Sequence, residues 1–313
     1  MTELESQRCA VVAIIGAPNA GKSTLVNKLV GAKVAAVTHK VQTTRSLLRG
    51  VAMKGDAQLV LIDTPGVFAP RRRLDRAMVS AAWGALEGAD VVVHVVDAAT
   101  HLPEHEKPAA AQRAVEDTRN IAERLKQMQR TAILALNKID SVPRPALLEI
   151  TRELTEFGIY TDVFMIAALN GDGVNDLAMT LAERAPVHPW LFPADQTADA
   201  PQRVLAAEIT REKAMLRLHD EVPYDLTVET ENWEERDDGS VKIDQVVFVA
   251  RESQRKIAIG AKGQTVKAIG EAARKEIEAA LDRRVHLFLH VKVRENWTEE
   301  RALYDHLGLD WDA

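Results

Sequence analysis

The sequence predicts two domains: an α/β domain with a mostly parallel sheet, followed by a smaller α+β domain. Up to about Arg184, short apolar runs alternate with helix-length segments, which is the pattern of buried parallel strands covered by helices on both faces. Prolines then cluster between residues 186 and 201, and beyond them the order becomes helix, hairpin, two helices and a strand. A chain of 313 residues is long enough for each domain to bury its own core.

The strands of the first domain are expected at the apolar runs Val11–Ile15, Leu59–Ile62, Val91–Val96, Ala132–Leu136 and Val163–Ala167. One hairpin interrupts the alternation, because Ser46–Met53 and Gln58–Ile62 flank a turn signal, Lys54-Gly55-Asp56. The segment Thr100–Asn120 is long and polar and contains two prolines. It is therefore expected to form a surface excursion before the next helix.

These patterns place the first domain at residues 1–185, a linker at 186–202 and the second domain at 203–313. The linker holds the whole proline cluster and lacks regular periodicity. Beyond it we expect a helix at Pro201–Leu218 and a hairpin formed by Leu226–Glu234 and Val241–Val249. A helix–loop–helix through residues 260–263 and a strand at Val285–Val293 complete the second domain.

The composition of the chain excludes several classes of protein. The net charge of −6 excludes a uniformly basic protein that coats nucleic acid, so any RNA-binding surface must be local. Cys9 is the single cysteine, which rules out a disulfide within the chain and favours a reducing compartment. No apolar run approaches the roughly 20 residues that span a bilayer, and the polar start lacks the features of a signal peptide. We therefore expect a cytoplasmic protein.

The most informative motif is G-A-P-N-A-G-K-S at residues 16–23, between a predicted strand and the predicted helix Ser23–Leu29. Backbone N–H groups of such a loop, together with the helix N-terminus, bind phosphate oxygens. Lys22 adds a positive charge at the β- and γ-phosphates, and the Ser23 hydroxyl can bind Mg²⁺. The predicted phosphate-binding residues are Gly16, Ala17, Pro18, Asn19, Ala20, Gly21, Lys22, Ser23 and Thr24.

A second motif at the end of a predicted strand completes the phosphate end of the site. It comprises Asp63, Thr64, Pro65 and Gly66. The Asp63 carboxylate can hold Mg²⁺ through a water molecule. The Gly66 N–H can reach the γ-phosphate because no side chain intervenes.

A third motif, at residues 137–140, selects the base. The Asp140 carboxylate can accept hydrogen bonds from the N1–H and 2-amino groups of guanine, and adenine lacks both donors. Asn137 can position the base from its other edge, while the stem of Lys138 can lie along the ring. In this order, at strand ends after a phosphate loop, the motifs predict a site for GTP and GDP.

Two loops complete the predicted site. In Q-T-T-R at residues 42–45, a threonine can bind Mg²⁺ and the γ-phosphate in the triphosphate state; we expect Thr44, with Thr43 as the alternative. In the loop at 166–169, the Ala168 N–H can bind the guanine carbonyl, but Ala167 replaces the serine that usually supports such a loop. The predicted catalytic residues at the γ-phosphate are Lys22, Thr44 and Gly66.

One residue that many such switches use for hydrolysis is missing from this sequence. Val67 stands where many such switches carry the glutamine that orients the attacking water, and valine cannot do this. The run Arg71-Arg72-Arg73 fits a solvated charge run better than an arginine that enters the site. Asn19 is a candidate ligand for a potassium ion, which would neutralise charge as an arginine does. Fixing the loop through side-chain-to-backbone bonds fits Asn19 equally well.

The second domain carries a predicted RNA-binding loop. The residues Gly260, Ala261, Lys262 and Gly263 form a G-x-x-G loop between two helices, and the α–β–β–α–α–β order is that of a type II KH domain. The glycines let the backbone approach a sugar–phosphate chain, and Lys262 can meet a phosphate. Residues 251–294 carry 11 basic and 5 acidic residues, whereas 220–238 carry 1 basic and 9 acidic. We therefore expect one RNA-binding face and one face that is solvated or repulsive.

Taken together, the motifs closely resemble those of the Era family of bacterial GTPases. The resemblance covers the nucleotide motifs at 16–25, 42–45, 63–66 and 137–140, P-W-L-F-P at 189–193, A-A-E-I at 206–209, I-G-A-K-G-Q at 259–264 and V-K-V-R-E-N-W at 291–297. It implies a GTPase that uses Mg²⁺ and binds the 3′ end of the small-subunit (16S-type) ribosomal RNA through its KH domain. It also implies a monomeric assembly factor for the small ribosomal subunit, with some peripheral contact at the inner membrane. Ala167 and the long segment Thr100–Asn120 depart from the family pattern.

Two other classes of protein compete with this interpretation. A tRNA-modifying or tandem-domain GTPase would share the nucleotide motifs but should lack a C-terminal G-x-x-G domain. A constitutive RNA-binding protein with a non-hydrolysing nucleotide site is the non-enzyme alternative. The intact nucleotide motifs count against the latter.

Overall fold

A computed structural model describes residues 7–40, 43–102, 108–199, 201–219 and 222–313. Gln42 of the predicted switch, residues 103–107 of the predicted excursion, Ala200 of the predicted linker, and residues 220 and 221 of the acidic run lie outside these ranges. The chain divides into two compact units. The N-terminal unit comprises Met1–Val34, Thr44–Asp199 and Leu307–Ala313, and the C-terminal unit comprises Ala35–Thr43 and Ala200–His306.

The N-terminal unit is built on a six-stranded sheet in the order β2-β3-β1-β4-β5-β6. The strands are β1 (Arg8–Ile15), β2 (Leu48–Lys54), β3 (Ala57–Asp63), β4 (Val91–Asp97), β5 (Ala132–Asn137) and β6 (Tyr160–Ile166). The β2–β3 pair is antiparallel and forms the predicted hairpin, while the other neighbouring pairs are parallel. The predicted mostly parallel sheet is confirmed.

Side-chain alternation along β1 explains why this sheet is covered on both faces. Val12 and Ile14 pack in one apolar core with Leu25, whereas Ala13 and Ile15 pack in the other. Successive side chains of a strand point to opposite faces, so a strand buried on both sides must be apolar at nearly every position. The helices of this unit are α1 (Lys22–Val30), α2 (Arg73–Gly84), α3 (Ala109–Gln127), α4 (Arg144–Thr155) and α5 (Val174–Arg184).

The predicted surface excursion Thr100–Asn120 is wrong over much of its length, because α3 begins at Ala109. The buried residues of α3 are Thr118, Ile121, Ala122 and Leu125, which lie from the middle of the helix onward. The first half of the helix therefore shows no apolar periodicity in the sequence, which is the signal on which a helix prediction depends.

The C-terminal unit contains a three-stranded sheet in the order β7-β8-β9. Its elements are α6 (Gln202–Arg217), β7 (Leu226–Glu235), β8 (Val241–Val249), α7 (Glu252–Ile259), α8 (Gln264–Leu281), β9 (Val285–Val293) and α9 (Arg301–Leu307). One apolar core of this unit joins α6, α8 and the sheet through Ile209, Ile243 and Ile277. The predicted α–β–β–α–α–β order is confirmed.

The predicted linker is bonded into the N-terminal unit as far as Asp199. The buried side chain of Gln58 holds it: Oε1 accepts hydrogen bonds from the N–H groups of Leu191 (2.8 Å) and Phe192 (3.0 Å), and Nε2 donates to Phe192 O (2.8 Å). Thr197 O also accepts a 2.9 Å bond from Val51 N at the edge strand β2. The prolines prevent regular secondary structure in this segment, but the segment is still hydrogen-bonded to the sheet.

Candidate nucleotide site and RNA-binding loop

The loop at residues 16–21 follows β1 at the point where the strand order of the sheet changes direction, since β1 lies between β3 and β4. Ligands of open α/β sheets bind outside the carboxyl ends of the strands at such a point. The two motif glycines are required for different reasons. A Cβ on Gly16 would lie 2.3 Å from Val95 O, whereas Gly21 has a φ of 97° and borders the Asn137 side chain.

Lys22 is buried within the loop. Its Nζ donates to Gly16 O at 3.0 Å and to Ala17 O at 2.9 Å. Burial lowers the pKa of Lys22 to about 8, and the negative charge of Asp63 opposes that shift. A phosphate bound by the loop would stabilise the charged lysine further.

Three oxygen-bearing side chains converge beside the loop. Ser23 Oγ donates to Asp63 Oδ2 at 2.6 Å and lies 2.9 Å from Thr44 Oγ1, which lies 3.3 Å from the same carboxylate oxygen. Hydroxyl and carboxylate oxygens are the ligands that Mg²⁺ prefers, so this set fits the predicted metal. The Thr43 hydroxyl contacts Thr38 and donates to Lys40 O instead. The contacts therefore favour Thr44 over Thr43.

Asn137 joins the phosphate loop to the base-closing loop. Its Nδ2 donates to Ala20 O at 2.8 Å, and its Oδ1 accepts from Ala168 N at 3.0 Å. The donor predicted for the guanine carbonyl is thus already paired with Asn137, and a bound base would have to share or replace that bond. The loop itself is fixed by backbone bonds, since Ala167 N donates to Asp172 O at 3.0 Å. These bonds supply support that no side chain at 167 provides.

The residues predicted to select the base lie at the carboxyl end of β5, and Asp97 lies at the carboxyl end of the neighbouring strand β4. The Asp140 side chain is exposed and accepts a 3.4 Å hydrogen bond from Asn170 Nδ2. Lys138 Nζ forms a 2.6 Å ion pair with Asp97 Oδ2. Sequence reasoning missed Asp97 and Asn170. Asp97 could have been found, because it ends an apolar strand just as Asp63 and Asn137 do.

The second motif is packed tightly against the phosphate loop. Thr64 Oγ1 donates to Ile14 O at 2.7 Å, and a Cβ on Gly66 would lie 2.9 Å from Pro18 Cα. Pro65 is buried between these two residues. Val67 N donates to Gly16 O at 3.1 Å, and its buried side chain belongs to an apolar core. The Val67 side chain therefore packs in the core, as expected for an apolar residue that cannot orient water.

The arginine run and Asn19, both considered above for a role in hydrolysis, have different surroundings. Arg71 and Arg72 are exposed, and the Arg73 guanidinium stacks on the Trp311 ring at 4.1 Å from its centroid. Asn19 is exposed and has a φ of 62°, a left-handed conformation that asparagine tolerates better than most residues. The loop conformation thus accommodates an asparagine here.

The G-x-x-G loop of the C-terminal unit links α7 to α8. Gly260 has a φ of 74°, and a Cβ there would lie 2.1 Å from Thr265 Oγ1. Gly263 has a φ of 78° with open space around it. Ala261 and Lys262 are exposed at the tip. A shallow groove of about 250 Å³ lies beside this loop between α8 and β9, lined by Val266, Lys267, Gly270, Glu271, Arg274, Leu287 and Leu289.

The predicted separation of a basic face from an acidic face is wrong for part of the sheet. Acidic residues of β7 form ion pairs with basic residues in or next to β9: Glu229 with Arg294, Glu231 with Lys292, and Glu235 with Arg283. The two strands flank β8, so residues distant in sequence neutralise one another. Near the loop, Lys262 is exposed at the tip, whereas the exposed Lys267 lies 3.9 Å from the Glu271 carboxylate.

The fold and these two sites define a P-loop GTPase that carries a C-terminal KH domain. A family model described as 50S ribosome-binding GTPase matches residues 11–138, and a KH domain model matches residues 221–298. GTPase Era of Caulobacter vibrioides is 57% identical over 316 residues, covering 100% of both chains, and GTPase Era of Brucella suis is 54% identical, covering 99% of this chain and 96% of that one. The chain belongs to the Era family of GTPases. The predicted family, fold class and enzyme class are confirmed.

Two solved structures resemble the whole chain. One is Era in complex with MgGDPNP and nucleotides 1506–1542 of 16S ribosomal RNA, and the other is a single-residue variant of Aquifex aeolicus Era bound to GDP·AlF₄⁻. Each has a TM-score of 0.86 and 35% sequence identity, and covers 96% of this chain and 99% of that one.

Proposed function

We propose that this protein is a GTP-hydrolysing switch that binds the 3′ end of the small-subunit ribosomal RNA and assists assembly of the small ribosomal subunit. The observation that carries the proposal is the joint presence, in one chain, of a complete guanine-nucleotide site and an exposed G-x-x-G loop. The full-length similarity to the Era–MgGDPNP–RNA complex supports the choice of RNA. The model of 50S ribosome-binding GTPases covers only residues 11–138, whereas the similarity to the complex with 16S ribosomal RNA covers 96% of the chain and favours the small subunit.

In this proposal the residues of the site have separate tasks. The phosphate loop and Lys22 bind the phosphates, while Asp140 selects guanine. Ser23, Thr44 and, through water, Asp63 would hold Mg²⁺, which when bound neutralises charge between the β- and γ-phosphates. Thr44 and the Gly66 N–H respond to the γ-phosphate, so the loss of that group on hydrolysis releases both segments.

The G-x-x-G loop and the adjacent groove would form the RNA site. The glycines at 260 and 263 leave room for the sugar–phosphate backbone, and Lys262 meets a phosphate. The groove offers the apolar side chains of Leu287 and Leu289 to unstacked bases. Lys267 and Arg274 at the groove are paired with Glu271 and Glu278, so an RNA phosphate would compete with those carboxylates for them.

RNA crosslinking in cells tests the proposal as a whole. Protein held in the GTP state by a slowly hydrolysed analogue in permeabilised cells should crosslink to the 3′ end of the small-subunit RNA. Crosslinks spread evenly over ribosomal RNA, or concentrated on tRNA, would contradict the proposed function.

We also propose that Asn19 supports a potassium ion that accelerates hydrolysis, because Val67 leaves no side chain to orient water. GTP turnover should be faster in potassium chloride than in sodium chloride at equal ionic strength. The variant Asn19→Gly should lose this difference, since glycine keeps the left-handed backbone but removes the carboxamide. Potassium stimulation that survives in Asn19→Gly would exclude this role and favour the loop-fixing alternative.

Monomeric state, cytoplasmic location and peripheral contact with the inner membrane remain proposals that rest on the family resemblance. No helix in the described part of the chain is long and apolar enough to cross a membrane. Flotation of the protein with vesicles of inner-membrane lipids would test the membrane contact.

A further inference from the structure

The segment that precedes Thr44 is bonded to helix α6. Residues Ala35–Thr43 belong to the same compact unit as this helix, although they lie in the sequence between two parts of the N-terminal unit. Val37 N donates to Glu212 Oε2 at 2.7 Å, and Lys40 Nζ donates to Leu218 O. A third bond, from Arg211 Nη2 to Thr43 O, lies directly beside the predicted γ-phosphate ligand.

The contacts of the Arg211 side chain hold it in a fixed position. Its side chain is 2% exposed, and it makes two hydrogen bonds to the Glu208 carboxylate, one from Nε at 3.0 Å and one from Nη2. Nη1 contacts Met215 Sδ at 3.2 Å. A guanidinium held by a two-point carboxylate contact is oriented as a rigid plane, so the second N–H of its Nη2 atom points in one direction. In this chain, that donor meets the Thr43 carbonyl.

The Thr43 carbonyl and the Thr44 N–H belong to the same planar peptide group. A hydrogen bond to that oxygen therefore restricts the orientation of the backbone from which the Thr44 side chain extends. The Thr44 hydroxyl, in turn, lies 2.9 Å from Ser23 Oγ and 3.3 Å from Asp63 Oδ2. We propose that Arg211 is a positioning residue for GTP hydrolysis, acting on Thr44 through the carbonyl group of Thr43.

This inference rests on the proposed role of Thr44, and it extends that role to a residue outside the nucleotide motifs. A purely structural role for Arg211, as the partner of buried Glu208, predicts loss of stability without any preference between GTP and GDP.

Arg211→Lys is the first test, because lysine keeps a positive charge beside Glu208 but lacks the planar fork. We expect single-turnover GTP hydrolysis at saturating Mg²⁺ to fall about tenfold, the usual effect of one charge-assisted hydrogen bond. GDP affinity should change by less than about twofold, since GDP lacks the group that Thr44 contacts. Arg203→Lys is the matched control: Arg203 lies on the same helix and also donates to a backbone carbonyl, that of Thr230, at 3.1 Å.

A double-mutant cycle with Thr44→Ala identifies the route. If Arg211 acts through Thr44, Arg211→Lys should slow hydrolysis by less than about twofold in the Thr44→Ala background. Two losses that multiply would overturn the inference, as would equal losses of GTP-analogue and GDP affinity. If Arg211→Lys hydrolyses GTP at the normal rate while Thr44→Ala hydrolyses it slowly, only this inference is overturned. If Thr44→Ala also hydrolyses GTP at the normal rate, the proposed role of Thr44 is overturned as well.

A second variant keeps the test valid if Arg211→Lys does not fold. Glu208→Leu combined with Arg211→Met replaces the buried ion pair with apolar side chains of similar size, so no lone carboxylate is left buried. This pair should fold and should show the same selective loss of hydrolysis. A folded pair with the wild-type rate would overturn the inference.

Discussion

Asp140→Asn should lower the affinity for GTP by about three orders of magnitude, or roughly 4 kcal/mol, because it removes two charge-assisted hydrogen bonds and sets an amide donor against the guanine 2-amino group. The exposed carboxylate of Asp140 contacts only Asn170 among the hydrogen bonds described for it, so the substitution should leave the fold intact. Competition of unlabelled nucleotides against a fluorescent GDP analogue measures the effect.

Xanthosine triphosphate provides the control for that result. Its base carries a carbonyl in place of the 2-amino group, and the asparagine amide can donate to it. The variant should therefore recover affinity for this nucleotide, which shows that the site is still folded. ATP that competes as well as GTP for the unaltered protein would mean that Asp140 does not select the base.

Lys262→Asp combined with Gly263→Asp should lower the affinity for a single-stranded ribosomal RNA 3′-end fragment by at least about a hundredfold. Two carboxylates would repel the phosphate backbone, and the side chain at 263 would obstruct its approach to the loop. GTP affinity should be unchanged, since both residues lie in the C-terminal unit, far from the nucleotide motifs in sequence. Filter binding at fixed ionic strength measures the RNA affinity.

Lys126→Asp with Gly88→Asp is the matched control for this double variant. It makes the same change in net charge at two exposed positions of the N-terminal unit, and a Cβ on Gly88 would meet no neighbouring atom within 4 Å. RNA affinity should stay close to that of the unaltered protein. Equal losses in both double variants would mean that net charge, and not the G-x-x-G loop, governs binding.

Elements with a regular apolar pattern could be predicted closely from the sequence. The strand Val285–Val293 has the predicted bounds, and a helix follows the G-x-x-G loop as predicted, because one face of each element supplies the core. Helix α3 could not be predicted over its exposed first half, where no core contact shapes the sequence. The ion pairs between β7 and β9 also could not be predicted, since strand order and register decide which charges meet.

The residues of the candidate site also divide into those that could be placed from the sequence and those that could not. Asp63 and Asn137 could be placed together because parallel strands end at one edge of a sheet. The motif alone favours Thr44 but leaves Thr43 as an alternative. Contacts of the two hydroxyl groups favour Thr44, because its Oγ1 lies 2.9 Å from Ser23 Oγ whereas the Thr43 hydroxyl donates to Lys40 O.

The central claim is that the nucleotide site and the RNA-binding loop form one switch. Its most direct test is the affinity of the ribosomal RNA 3′-end fragment for protein saturated with a GTP analogue, compared with protein saturated with GDP. We expect the two affinities to differ by about tenfold, and the RNA to change the preference for GTP analogue over GDP by the same factor. Equal RNA affinity in both states would contradict the claim and leave two independent modules on one chain.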